Sequence, residues 1–342
     1  MTFGSYDPAE VTWLLTDLGG IDLEVPTEDR EELIQGGRPY YEMLPVEYHP
    51  DPDYTALFHA SLKESAPRLA RAVGAVTELV LQRKPQPVLV SLARAGTPIG
   101  ILMKRWLAAK GVDAPHYAVS IVRGHGIDEV AVQHVLDRHP ADQVQFVDGW
   151  TGKGAIAKEL AAAVSGLDAE LAVLADPGHC TSVYGTRDDY LIPSACLNST
   201  VSGLVSRTVY RPDLIGPGMF HGAKQYPELA DADVSNVFLD AVSDAFDLSV
   251  TAAVTEAPDW SGWAAVQGIA DSYGISNLNL VKPGVGETTR VLLRRVPWKV
   301  LIRPDRLDDL QHVLMLAEAR GVEVVEAPDL PYSCIGLIRP AS

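Results

Sequence analysis

The sequence predicts an α/β protein, a mostly parallel sheet layered with helices and followed by a smaller αβ module. Three observations carry this. Apolar runs of strand length recur at 87–92, 115–122, 144–147 and 171–176, separated by stretches of helical period, as βαβ units require. The alternation restarts near residue 275, after a polar stretch. Three glycine-containing polar loops follow strand ends, where open α/β sheets gather ligands.

In chain order, residues 1–35 are acidic, with an amphipathic helix expected over 8–17. Pro26, Gly36, Gly37 and Pro39 then break the chain into turns. Apolar residues at helical spacing predict a long helix over 52–82. The strand at 87–92 leads into the turn Ala93-Arg94-Ala95-Gly96-Thr97-Pro98 and a helix over 99–110. The next strand, 115–122, ends in Arg123-Gly124-His125-Gly126 and precedes a helix over 127–139. Val144-Gln145-Phe146-Val147 reads as a buried strand closed by Asp148, and Gly149-Trp150-Thr151-Gly152-Lys153-Gly154 as a turn into a helix over 155–164. A further strand covers 171–176, and 177–225 is polar and dense in reactive side chains. Residues 233–247 read as helix, 257–262 as a linker and 263–273 as a short helix. Beyond 275, helices over 287–295 and 307–320 alternate with strands at 298–302, 322–326 and 333–338. Two domains are expected, 1–260 and 275–342.

Composition narrows the class. Of 342 residues, 47% are apolar and 21% charged, the balance of a folded soluble protein. No apolar run reaches the length of a membrane span. The first ten residues lack the basic and apolar regions of a signal peptide. Three cysteines in so long a chain point to reduced thiols, so the cytoplasm is the expected location. A net charge of −17 disfavours nucleic-acid binding by the chain as a whole. That charge is uneven: from Ile275 onward nine Lys/Arg face eight Asp/Glu, while the remainder carries 19 against 37.

The stretch from Val144 to Gly154 carries the most chemistry. A strand, a glycine-rich loop and a helix N-terminus together make an anion site, because the N–H groups of the first helical turn lack partners within the helix. An acid at the strand end, Asp148, suits sugar hydroxyls or a divalent metal. Downstream, Cys180 beside His179, and Cys196, are candidate nucleophiles, with His179, His221 and His125 as candidate bases. A small buried hydrophobe is the other reading of each cysteine.

Two motifs resemble those of type I phosphoribosyltransferases. Asp148 with Thr151-Gly152-Lys153-Gly154 is similar to that family's phosphoribosyl diphosphate motif, and Ser91 to Pro98 to its pyrophosphate loop. The resemblance, over roughly 50–180, implies a type I phosphoribosyltransferase-like sheet. It implies that Thr151, Gly152, Lys153, Gly154 and Ala155 cradle a 5′-phosphate, and that Ala95 and Gly96 admit the diphosphate. Arg94 and Arg123 would stabilise the leaving group, and Asp148 would hold ribose and Mg²⁺. The chain departs from the pattern where Gly149 replaces a second acid.

The runs His179-Cys180-Thr181, Gly185 to Asn198 and Val201 to Thr208 resemble the bacterial StiP family, found with tellurite-resistance and stress operons. That family is described both as phosphoribosyltransferase-like and as a cysteine protease. Gly284-Val285-Gly286-Glu287-Thr288-Thr289-Arg290 resembles the signature of the Pelota and kink-turn-binding family. This implies a C-terminal αβα domain in which Lys282, Glu287, Thr288, Arg290 and Arg294 contact RNA.

The expected function is a phosphoribosyltransferase-type enzyme. It would use phosphoribosyl diphosphate with Mg²⁺, act on a base, a nucleotide-like metabolite or RNA, and form a homodimer. The alternatives are a cysteine peptidase or thiol hydrolase using Cys180 or Cys196, and a non-catalytic RNA- or nucleotide-binding stress protein.

Overall fold

The computed structural model describes residues 3–339, apart from the side chains of Thr27, Glu28, Glu31 and Arg294. The chain opens with three two-residue strands, β1 (Thr12–Trp13), β2 (Thr16–Asp17) and β3 (Glu24–Val25). Helix α1 (Thr27–Gln35), β4 (Leu44–Pro45) and the long α2 (Pro52–Arg83) follow. Then come β5 (Val88–Ala93), α3 (Gly96–Ala109), β6 (His116–Val122), β7 (Gly126–Ile127), α4 (Glu129–Leu136), β8 (Val144–Trp150), α5 (Ala155–Ala163), β9 (Leu171–Ala175) and β10 (Val183–Thr186). Strand β11 (Gly222–Ala223), α6 (Ser235–Ser243) and α7 (Ser261–Ser272) lead into the C-terminal module. That module contains β12 (Val281–Pro283), α8 (Val285–Arg294), β13 (Pro297–Ile302), α9 (Leu307–Ala319), β14 (Glu323–Glu326) and β15 (Cys334–Ile338).

The main sheet has seven strands, in the order β1-β6-β5-β8-β9-β10, with β7 antiparallel on β6 and every other pair parallel. From β5 onward this is the doubly wound order 2-1-3-4-5. Val88, Leu89, Val90, Ser91 and Leu92 are all buried. A parallel strand covered by helices on both faces needs such an unbroken run. Leu89 and Val147 face the core under α2 and α3, whereas Val90, Leu92, Phe146 and Val173 face α4 and α5.

Helix α2 begins cleanly because Asp51 accepts a hydrogen bond from the Asp53 N–H at 2.8 Å and Pro52 occupies the first helical position. It packs along β10 and against α3 and α6. Trp106 of α3 is fully buried, donates to Glu78 at 2.7 Å and lies directly over Gly74. A Cβ at Gly74 would come within 2.4 Å of the Trp106 ring.

The helix expected over 8–17 is not formed. Thr12 and Trp13 pair with Tyr117 and Ala118 as an edge strand, and the Leu14 N–H donates to Ala118 O at 3.0 Å. The apolar residues of this stretch are buried by long-range pairing, which overrides local period.

The C-terminal sheet runs β12-β15-β13-β14, with β13–β14 parallel and the other pairs antiparallel. Val266 and Ala270 of α7 cover one face with Leu280, Leu301 and Leu337. On the other face Leu292 of α8 and Leu310 of α9 join the same apolar cluster as α2 and α3. The two parts therefore share a core. Asp189 ties them: its carboxylate accepts from the N–H groups of Val285 and Ser333, each at 2.8 Å, and so caps α8 from the other domain.

Candidate functional site

Strands β5 and β8 are neighbours, yet their following helices leave on opposite faces: α3 packs against α2 and α6, and Leu160 of α5 packs with Val135 of α4. A crevice opens at their carboxyl ends, the usual ligand position in such sheets. It holds a cavity of about 670 Å³, within the range of small-molecule and cofactor pockets. Arg94 and Ala95 line it after β5, Arg123 after β6 and residues 151–155 after β8. Lys282, Glu287 and Arg290 of the C-terminal module form the facing wall.

The 151–155 loop is fixed from below. Thr151 donates through Oγ1 to the wholly buried Asp176, and Arg187 pairs with the same carboxylate at 2.6 Å. The Gly152 carbonyl accepts from the Tyr332 hydroxyl at 3.0 Å. It also lies against Gly178, where a Cβ would come within 1.9 Å of it. Gly154 has φ +78° and faces Trp260 and Cys180, which leave no room for a side chain. Ala155 then starts α5. Lys153 Nζ is held by the carbonyls of Leu278 and Val281, so this side chain bridges the domains.

Gly96 does not face the cavity. A Cβ there would strike Val147 O at 2.4 Å, so the glycine serves the close packing of α3 on β8. Arg94 is held by three partners: Glu47 at 3.1 Å, Val205 O at 3.0 Å and Asn198 at 3.0 Å. It ties the 198–205 segment to the sheet. Arg123 reaches Asn279 of the C-terminal module at 2.7 Å.

Cations outnumber acids around this space, with eight Lys/Arg lining it against four Asp/Glu. Burial, then the nearby Lys282 and Arg123, pull the Lys153 ammonium down to about 7. Burial pushes Asp148 up to about 7, against the pull of the Gly149 N–H and Arg290. Burial also opposes the charge of Glu287, but Arg290 and Lys282 outweigh it and hold that carboxyl below its usual range. Arg290 pairs with Glu287 at 3.0 Å and lies 4.8 Å over the Trp150 ring.

The three cysteines differ. Cys180 lies beneath the 151–155 loop, off the cavity wall, and its thiol donates to Gly178 O at 3.2 Å. Burial and the neighbouring Asp176 push it up to about 12, so the thiolate is strongly disfavoured. Cys334 is fully buried in β15, and burial raises its thiol well above the ordinary range. Cys196 lines the cavity at 1% exposure, beside Leu197 and Asn198. The candidate bases lie elsewhere. His179 faces Asp259 at 3.5 Å, His221 meets Ser120 at 3.0 Å, and His125 stacks on Tyr210 at 3.7 Å. The histidine that does line the cavity is His49, which pairs with Asp231 at 3.1 Å. That hydrogen bond raises its pKa. His49 sits in no sequence motif; only the fold brings it to the cavity that Cys196 also lines.

The RNA-contact set is divided. Lys282, Glu287 and Arg290 face the cavity, while Thr288 is 0% exposed and bonded to Lys282 O at 3.4 Å. Thr288 therefore packs rather than reads a ligand, and the Arg294 side chain lies outside the described residues. Among the described residues no three His, Cys, Asp or Glu side chains come together to hold a metal. Asp148 accepts the Gly149 N–H at 2.7 Å and has Arg290 and Glu287 as charged neighbours. Among the same residues no helix is long and apolar enough to cross a membrane.

A family model described as "Tellurite-like stress resistance cysteine protease StiP" matches residues 4–243, and one described as "PELOTA RNA binding domain" matches 260–340. The chain is 33% identical over 364 residues to a protein of Acinetobacter baylyi named "Cysteine protease StiP", covering 98% of this chain and 94% of the relative. No solved structure matches. These findings overturn the phosphoribosyltransferase expectation: family and relative are both named as cysteine proteases, and nothing found supports ribosyl transfer. The glycines that suggested it have local packing reasons at 96 and 154. The chain belongs to the StiP family, with a C-terminal domain of the Pelota RNA-binding type.

Proposed function

We propose that the protein is a thiol-dependent peptidase that works in the cavity between its two domains, with Cys196 as nucleophile. The observation that carries this is the placement of Cys196. It lies on the cavity wall, whereas Cys180 and Cys334, buried like it, lie off that wall, and burial raises both of their thiols. The name of the Acinetobacter baylyi relative supports the same class.

In the proposed reaction the Cys196 thiol gives its proton to His49, oriented by Asp231, and the sulfur attacks the peptide carbonyl carbon. The amine leaves with a proton, and water then hydrolyses the thioester. The test is proteolysis of an unfolded acidic protein by the wild type and by Cys196→Ser, Cys180→Ser and His49→Gln. Loss of cleavage in Cys196→Ser and its retention in Cys180→Ser is the expected pattern. The reverse pattern would sink the assignment.

The match of residues 260–340 to the Pelota RNA-binding domain supports a second reading, in which an RNA strand enters the same cavity. Lys282 and Arg290 on its wall are the residues that favour it.

A further inference from the structure

The chain carries a net charge of −17, yet the wall of the cavity between β5 and β8 holds eight Lys/Arg and four Asp/Glu. Local charge therefore runs opposite to global charge, and both domains contribute. Arg123 comes from the end of β6 and Lys153 from the loop before α5, while Lys282 and Arg290 come from β12 and α8. Two pairs form within the wall, Glu47 with Arg94 and Glu287 with Arg290, each cancelling one charge of either sign, so the surplus of four cations stands. The first residues of α5, Ala155 to Ala157, line the same space, and the positive end of the helix dipole lies there. The Lys153 ammonium is pulled down to about 7, first by burial and then by Lys282 and Arg123, so its own positive neighbours are not cancelled.

Nothing in the hydrolysis of a peptide bond requires this surplus. A peptidase needs a nucleophile, a base and donors for one developing oxyanion. Cations from four separate elements instead describe a recognition surface. Tyr40, Tyr48 and Tyr54 on the same wall add flat apolar area suited to chain packing.

We infer that the cavity selects acidic peptide segments, runs of Asp and Glu whose carboxylates are received jointly by Arg123, Lys153, Lys282 and Arg290. This rests on the peptidase reading and names its substrate class. The C-terminal module is then part of the substrate site rather than an appended binding domain, because two of the four cations are its own. An acidic chain spanning both walls would hold the domains together.

The test uses the full chain. Binding of a fluorescent oligoglutamate peptide to Cys196→Ser is measured alongside a glutamine-rich peptide of equal length, inorganic phosphate and single-stranded RNA. Oligoglutamate should bind, its affinity should fall with added salt, and Lys282→Gln or Arg290→Gln should weaken it roughly tenfold each. Turnover by the wild type should favour acidic over neutral peptides, and Lys282→Glu should reduce that ratio. The salt dependence is read on a fold-intact protein, so a poorly folding substitution does not decide the matter. Equal binding of the two peptides overturns the inference, as does tighter binding of phosphate or RNA than of oligoglutamate. Turnover that needs Cys196 but ignores substrate charge also overturns it while leaving the peptidase reading intact. Turnover that survives Cys196→Ser sinks the peptidase reading, while charge-selective binding would still stand.

Discussion

The clearest consequence of the geometry concerns thiol reactivity at Cys180. Its Sγ donates to Gly178 O, its backbone N–H bonds to Asp176 at 2.9 Å, and burial with that carboxylate lifts the thiol from 9.0 to about 12. Three pH units mean about a thousandfold less thiolate at neutral pH than an ordinary cysteine holds. Alkylation by iodoacetamide follows the thiolate, so Cys180 should label about a thousand times more slowly than a free thiol. Removing the acid reverses the argument. Asp176→Asn takes away the carboxylate's unfavourable charge and should speed labelling of Cys180. Cys196, on the cavity wall, should label first of the three. The assay is timed alkylation at pH 7.5, with each cysteine followed by peptide mass spectrometry. Labelling of Cys180 at the rate of a free thiol, or ahead of Cys196, would refute the reasoning.

Three further outcomes follow from particular contacts. Gly74→Ala gains about 1 kcal/mol of helix propensity but sets a Cβ 2.4 Å from Trp106. Overpacking should dominate and leave a net loss of about 1–2 kcal/mol, read as a lower urea midpoint; an unchanged midpoint would mean that the ring can shift. Asp189→Ala strands the N–H groups of Val285 and Ser333 and should cost about 2–4 kcal/mol. Faster proteolysis between α7 and β12 would report the loosened C-terminal domain, with Asp189→Asn, which keeps one acceptor, milder. The preference for acidic over neutral peptides should fall between pH 6 and 8. Through about 7 Lys153, facing Lys282, Arg123 and Glu287, loses its charge, while Asp148, facing Arg290 and Glu287, gains one. Glutamate side chains stay ionised over that range, so a preference that rises with pH would contradict these assignments.

Much of the main sheet was legible because its strands are short apolar runs between helical periods. Val88 to Leu92 can be read in no other way once buried on both faces. The edge strand at Thr12–Trp13 was not legible. Two residues carry no period, and only pairing with β6 makes them a strand. β10 was hidden because Val183 to Thr186 sits among polar residues whose partners lie far along the chain. The loops after β5, β6 and β8 were placed correctly at one crevice, but the role of their glycines was not. A local sequence cannot tell a glycine that admits a ligand from one that admits a neighbouring backbone, and Gly96 is of the second kind. The C-terminal signature was legible as a domain of the Pelota type. Which of its residues meet the cavity was not legible: Lys282, Glu287 and Arg290 line it, while Thr288 is buried. His49 carried no sequence signal at all.

The most direct test of the account is to catch the covalent intermediate. The wild type is mixed with an acidic peptide, quenched in acid within the first turnover, digested and mapped by mass spectrometry. The account predicts an acid-stable peptide thioester on Cys196 that is absent from Cys196→Ser. A thioester on Cys180, or turnover with no cysteine adduct at any time, would contradict it.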